Sequence, residues 1–229
     1  MICMVVIFIL LLILYYIFKK KLSIENFSHA LGRVTDEHYY PRLIYQFVKP
    51  EEINEIINLS NEVGFTNSAI SGNKVDKNIR TSETCWINYK KYPTLTDLYD
   101  RVLKLYELKF DNDFEFEELQ VAKYKAKGFY KPHFDQCYDD DHCYDDVKQQ
   151  GSVRKWTIII YLNDEYEGGE TNFPILNISV KGKSGDILIF RSLTSDDDKV
   201  HPLSLHQGTD VKLGEKMIAN IWVRKKIKK

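Results

Sequence analysis

His133-Phe134-Asp135, then His206 and, ten residues later, Lys216 are the residues whose types and spacing best suit chemistry. Two neutral imidazoles and one carboxylate can hold Fe(II) on one face of its coordination sphere and leave the opposite face open. The lysine adds a fixed cation, suited to the carboxylate of a co-substrate. In a strand, residues i and i+2 point to the same side, so His133 and Asp135 can face one pocket while Phe134 turns into packing. Pro132 restricts Lys131 to extended backbone, which keeps the approach strand-like. The triplet alone is weak evidence, since a hydrogen-bonded surface pair reads the same way.

The elements that must position these groups lie downstream. Thr157-Ile158-Ile159-Ile160 reads as a strand buried on both faces, ended by the turn signals Asn163-Asp164 and Gly168-Gly169. Lys183-Ser184-Gly185-Asp186 is a second turn, and Ile187-Leu188-Ile189-Phe190 a second apolar strand. His206 to Val211 leads through Gly214-Glu215 into a last strand, on which Lys216, Ile218, Asn220 and Trp222 share one face. A cation and an indole can therefore line one cavity. Upstream, Lys49-Pro50-Glu51-Glu52 opens a helix with an apolar stripe of Ile53, Ile56, Ile57 and Leu59 that stops near Gly64. Leu95 to Leu108 forms a second helix, both packing on the outside of a sheet.

Other candidate ligands compete. His201, five residues before His206, precedes Pro202 and follows Asp196-Asp197-Asp198, a loop context, so His206 is the preferred distal ligand. His29 and His38 read as solvated. Cys137, His142 and Cys143 sit in an acid-rich loop whose spacing matches no standard zinc signature. That loop reads as an irregular rim, with a Cys137–Cys143 disulfide conceivable only in an oxidising compartment. Cys85 beside Trp86 reads as a buried small residue.

The stretch from Tyr124 to Arg224 resembles the catalytic domain of prolyl 4-hydroxylases, in the 2-oxoglutarate/Fe(II) oxygenase superfamily. The likeness runs through Tyr124 and Tyr130 before the HxD, Arg154-x-x-Thr157, and the Tyr161-Leu162-Asn163-Asp164…Gly168-Gly169-Glu170-Thr171-x-Phe173-Pro174 run. It continues through Lys183-x-Gly185-Asp186 and His206-x-Gly208-x-x-Val211-x-x-Gly214-x-Lys216 to Trp222, with a weaker echo at Arg80-Thr81-Ser82 and Cys85-Trp86. The resemblance implies a mainly β fold with flanking helices, a double-stranded β-helix (jelly roll). It implies Fe(II) on His133, Asp135 and His206, and 2-oxoglutarate paired through its distal carboxylate with Lys216 and assisted by Tyr124 and Thr157. Tyr130, Arg154 and Trp222 would contact a proline of a collagen-like or proline-rich polypeptide, with ascorbate sustaining turnover. Lysyl hydroxylases and nucleic-acid demethylases of the superfamily generally use arginine for the co-substrate, so Lys216 favours the prolyl branch. A tethered binding module that lost catalysis, and a zinc protein built on the Cys137 loop, are the rivals.

Organisation follows from hydropathy. Ile2 to Phe18 is an unbroken apolar run followed by Lys19-Lys20-Lys21; at about 1.5 Å per residue it spans roughly 26 Å, near the lower limit for a membrane helix. With no basic segment before it and no small-residue cleavage pattern, residues 1–18 are expected to be an uncleaved single-pass anchor rather than a signal peptide. Residues 19–40 would be a juxtamembrane tether, and 41–229 the oxygenase domain. The lysines place the domain in the cytosol by the positive-inside rule, whereas collagen-type prolyl hydroxylases work in the secretory lumen; both orientations stay open. The net charge of −1 gives no sign of a nucleic-acid partner. The basic end from Arg224 reads as a solvated terminus, with contact to anionic lipid as the alternative.

Overall fold

Pro50 stands at the first helical position, where its missing N–H costs nothing, and Glu52 Oε2 accepts the Lys49 N–H at 2.8 Å. Helix α1 (Pro50–Val63) follows, burying Ile53, Ile56 and Leu59, and ends at Gly64 with φ 82°. The chain is described here by a computed structural model covering residues 40–70, 74–105, 114–136, 151–194 and 199–227. Helix α2 (Pro93–Leu103) starts two residues earlier and ends sooner than the apolar stripe suggests. Lys104 N–H bonds Arg101 O and Leu105 N–H bonds Val102 O, so tight i→i+3 turns close it. Arg101 forks onto both carboxylate oxygens of buried Glu52 at 2.7 Å, joining the two helices.

The strands in chain order are β1 (Arg42–Ile44), β2 (Thr66–Asn67), β3 (Glu83–Ile87), β4 (Phe114–Phe116), β5 (Leu119–Tyr124), β6 (Tyr130–His133) and β7 (Ser152–Tyr161). They continue as β8 (Tyr166–Gly168), β9 (Thr171–Phe173), β10 (Ile178–Val180), β11 (Ile187–Arg191), β12 (His206–Gly208), β13 (Val211–Gly214) and β14 (Lys216–Lys226). An antiparallel sheet runs β1-β11-β7-β14-β5-β3-β2, with β4 also on β14. A smaller sheet runs β10-β9-β12-β6, and β13 pairs with β8.

Alternation along the large sheet divides the core in two. Ile158, Ile160, Ile187, Ile189, Ala219, Ile221 and Val223 pack with Ile56, Leu95, Leu98 and Val102 of the helices. The opposite parity, Ile159, Tyr161, Leu188, Phe190, Ile218, Ala122 and Tyr124, packs with Phe173 of β9, Tyr166 of β8 and Val211 of β13. At about 1.5–3 kcal/mol per buried large side chain, both faces of β7 are committed, as its run of β-branched residues requires. This mainly β fold with two helices is the expected jelly roll.

Two expectations need correction. Arg224 is not part of a solvated tail: β14 pairs with β7 as far as Lys226, and buried Arg224 bonds Glu117 Oε1 at 2.6 Å and Ser152 Oγ at 2.8 Å. A guanidinium in that place needs those partners to offset its burial. The HxD does not lie wholly on a strand either, since β6 ends at His133. The anchor and tether of residues 1–39, with His29 and His38, lie outside the described residues, as do Cys137, His142 and Cys143. No helix among the described residues is long and apolar enough to cross a membrane.

Candidate metal and co-substrate site

His133 and His206 are directly opposed on β6 and β12, their ring centroids 4.3 Å apart. Each ring turns Nδ1–H to a backbone carbonyl two residues before it, Lys131 O at 2.8 Å and Ser204 O at 2.9 Å. That leaves both Nε2 lone pairs facing inward. His133 Nε2 lies 3.6 Å from Asp135 Oδ1, and His206 Nε2 3.8 Å from Asp135 Oδ2. One donor atom from each residue falls within 4.8 Å of the others. Donors about 2.1 Å from one ion at right angles lie roughly 3 Å apart, so each histidine–carboxylate gap needs to close by under about 1 Å to share a metal. The set fits Fe(II) in donor type as well as in span.

Ionisation suits that role. Burial alone would raise the Asp135 carboxyl, but the fields of His206 and His133, the His133 hydrogen bond and the Arg154 charge hold it well below the ordinary carboxylate range. Burial, with His133 adding to it against Asp135, lowers His206 to about 4. At neutral pH the site therefore offers a carboxylate and a neutral His206 imidazole, the forms that bind a divalent ion.

Thr157, expected to assist the co-substrate, donates to Asp135 Oδ2 at 2.6 Å, and Ser192 Oγ lies 3.2 Å from its hydroxyl. A hydroxyl has one hydrogen to give, and this one is committed to the ligand carboxylate. Tyr130 stacks on His133 at 3.5 Å, while Phe190 and Phe173 flank His206 at 4.8 Å and 5.7 Å. The ligand rings are thus wedged from both sides.

Deeper on β14, buried Lys216 donates from Nζ to Gly169 O at 2.7 Å. Burial, opposed by Glu170 and aided by Lys181, lowers it to about 8. Tyr124 is its cross-strand partner, with the ring centroid 5.7 Å from Nζ. Gly168 and Gly169 carry φ of 67° and 68°, and a Cβ on Gly169 would meet Lys216 Cδ at 3.3 Å. The Gly-Gly pair thus lets the carbonyl reach the ammonium. Thr171, two residues on, was not singled out from the sequence; its Oγ1 accepts from the Tyr161 hydroxyl at 3.2 Å, both buried. The signal was the Glu170-Thr171 pair following the glycines.

Around Trp222 the side chains are tightly tied. The Arg154 guanidinium lies 3.7 Å over its ring, bonds Glu117 at 2.6 Å and 2.7 Å, and gives Nη1 to Asp135 O at 3.2 Å. Half-exposed Trp86 sits 5.8 Å from Trp222. Asn220 and Arg80 both donate to Gln120 Oε1, at 3.1 Å and 3.3 Å, and Arg80 covers the Tyr130 ring. Glu117 and Gln120 carry no motif that sequence reasoning could have used. His201 stands apart from the triad: its Nδ1 accepts the Leu203 N–H at 3.1 Å, capping a short turn. Cys85 is buried, as expected.

Comparison with known proteins agrees with this geometry. The family model described as the 2OG-Fe(II) oxygenase superfamily matches residues 119–224. An Acanthamoeba polyphaga mimivirus protein, provisionally assigned as a prolyl 4-hydroxylase, is 36% identical over 202 residues, covering 88% of this chain and 80% of its own. Prolyl 4-hydroxylase 1 of Arabidopsis thaliana is 30% identical over 218 residues, covering 86% and 74%. The viral collagen prolyl hydroxylase of Paramecium Bursaria Chlorella virus-1, solved with 2-oxoglutarate, superposes with a TM-score of 0.68 at 28% identity, covering 83% of this chain and 99% of that one. The chain belongs to the prolyl 4-hydroxylase family and is a 2-oxoglutarate-dependent dioxygenase that uses Fe(II).

Proposed function

We propose that the enzyme hydroxylates peptidyl proline at C4, in collagen-like or other proline-rich polypeptides. The iron and 2-oxoglutarate supply the oxidising chemistry, in which the keto acid leaves as succinate and carbon dioxide and one oxygen atom enters a C–H bond. The protein's residues bind and orient. His133, Asp135 and His206 hold the metal, Thr157 aims the Asp135 carboxylate, and Lys216 receives the distal carboxylate with Tyr124 alongside. Tyr130, Arg154 and Trp222 line the substrate side. Arg154 acts there through Trp222, since its own donors are engaged with Glu117 and Asp135 O. Family membership supports ascorbate as the reductant that rescues over-oxidised iron.

The observation that carries the reading is the triad and Lys216 on the inner side of one β-sandwich, together with likeness to proteins named as prolyl hydroxylases. Incubating the enzyme with proline-containing peptides, Fe(II), 2-oxoglutarate and ascorbate should give a +16 Da product located on proline. Hydroxylation of another residue, with proline untouched, would refute the substrate assignment while leaving the oxygenase chemistry standing. We further propose that residues 1–18 anchor the enzyme in a membrane, which the apolar run and its flanking lysines support. Carbonate-resistant pelleting of the full chain, lost on removing residues 2–18, tests it.

A further inference from the structure

Tyr166 opens β8 with its side chain turned inward, 5% exposed, and its hydroxyl is buried without a hydrogen-bond partner among the described residues. A buried donor left unmade is costly, and phenylalanine would fill the same volume without that cost. The ring lies against Gly169: a Cβ built there falls 3.2 Å from Tyr166 Cε2 and 3.3 Å from Lys216 Cδ. Tyr166 and Lys216 thus flank one glycine, the glycine whose carbonyl takes the Lys216 ammonium at 2.7 Å. Tyr166 shares its inward cluster with Tyr124, Tyr161 and Ile218, where the Tyr161 hydroxyl donates to Thr171. Lys181 also holds the residue, donating to Tyr166 O with its Nζ 4.4 Å from the ring centroid. Burial first, then Tyr161, Asp164 and Glu170, push the phenol above its ordinary value, so it remains a donor at any working pH.

We infer that the Tyr166 hydroxyl is a further hydrogen-bond donor to the distal carboxylate of 2-oxoglutarate, beside Lys216. The inference rests on the co-substrate site described above. The Tyr166 ring edge and the Lys216 stem converge on one point beside Gly169; their phenol and ammonium supply two directional donors, and a carboxylate has two oxygens to receive them. The co-substrate then satisfies a donor that the described residues leave unpaired.

Tyr166→Phe tests this, with Mn(II) in place of iron so that binding is read without turnover. The variant should melt at a higher temperature than wild type when free of ligand, since the unpaired donor is gone. Its 2-oxoglutarate Kd by calorimetry should rise about tenfold, as a hydrogen bond to a charged group warrants, and the ligand-induced rise in Tm should shrink. 2-Oxobutyrate, which lacks the distal carboxylate, should bind both proteins equally. An unchanged 2-oxoglutarate Kd in Tyr166→Phe, with Lys216→Ala weakened, overturns the inference alone. Equal loss for 2-oxobutyrate overturns it too. Equal 2-oxoglutarate binding by wild type and Lys216→Ala would overturn the co-substrate site itself.

Discussion

Binding of 2-oxoglutarate should take up a proton at Lys216, and the amount follows from its burial. The ligand-free ammonium is pulled from 10.5 to about 8, chiefly because burial penalises its charge. A carboxylate seated against Nζ favours the charged form and raises it again. From a value of about 8, roughly a tenth of Lys216 is neutral near pH 7 and about three-quarters near pH 8.5. Proton uptake on binding should therefore climb from about 0.1 to about 0.75 between those conditions, and affinity should fall toward tenfold per pH unit above pH 8. Calorimetry of the Mn(II)-loaded protein in buffers of differing ionisation enthalpy measures this directly. Lys216→Arg stays charged throughout, so whatever affinity it retains should lose the proton uptake. The sign for stability follows the same reasoning. A lysine depressed in the folded state leaves the unfolded chain holding more protons between about pH 8 and 10.5, so the ligand-free protein gains stability as pH rises through that window. The full penalty below it is about 3 kcal/mol. Equal uptake by wild type and Lys216→Arg at pH 8.5 would refute the reasoning.

Three further outcomes are expected. His133→Ala, Asp135→Ala and His206→Ala should each abolish succinate production, and near-normal turnover by any of them with iron present would break the triad assignment. Thr157→Val should weaken metal binding about 10- to 100-fold, the usual cost of losing a bond to a ligating carboxylate, whereas Thr157→Ser should restore it; metal titration reads both. Glu117→Gln should destabilise the fold by about 3–5 kcal/mol in urea unfolding, because two arginines at 2.6 Å lose their shared charge. Burial opposes the ionised form of Glu117, but Arg154 and Arg224 prevail and lower its pKa. Its contribution is accordingly complete above the ordinary glutamate value near 4.5 and lost as pH falls below it, and the variant should lack that acid-dependent step.

Much of this was legible in the sequence where local pattern and tertiary role coincide. β7 and β11 are runs of β-branched and aromatic residues, and Pro50 with Gly64 brackets α1. The triad could be read because metal chemistry restricts residue type at fixed spacing. The bond from Thr157 to Asp135 was not legible: alternation gives a face, while the identity of the acceptor depends on Asp135 leaving β6 and bending toward β7. Glu117 and Gln120 were invisible because their partners, Arg154, Arg224, Arg80 and Asn220, lie between 37 and 107 positions away. Arg224 was misread for the same reason, a basic cluster at a chain end being solvated unless a distant carboxylate claims it.

The arrangement of ligands over the two sheets has a consequence for folding. His133 and His206 belong to the small sheet as a cross-strand pair, whereas Asp135 is held by Thr157 of the large one. An ion bound by all three therefore ties the sheets together, across the same gap that Phe173 and Phe190 fill with an edge-to-face contact at 5.1 Å. Aromatic packing sets the spacing of the sheets, and that spacing brings the carboxylate within reach of both imidazoles. Lys216, Tyr124 and Thr171 use the same interior further along, where β14, β5 and β9 face one another. The jelly roll thus supplies a single buried interior, with the candidate metal ligands at one place and an ammonium at another. A one-residue slip of β14 would turn Lys216, Ile218, Asn220 and Trp222 away from it together, so register in that strand is as much a condition of catalysis as the identity of any ligand.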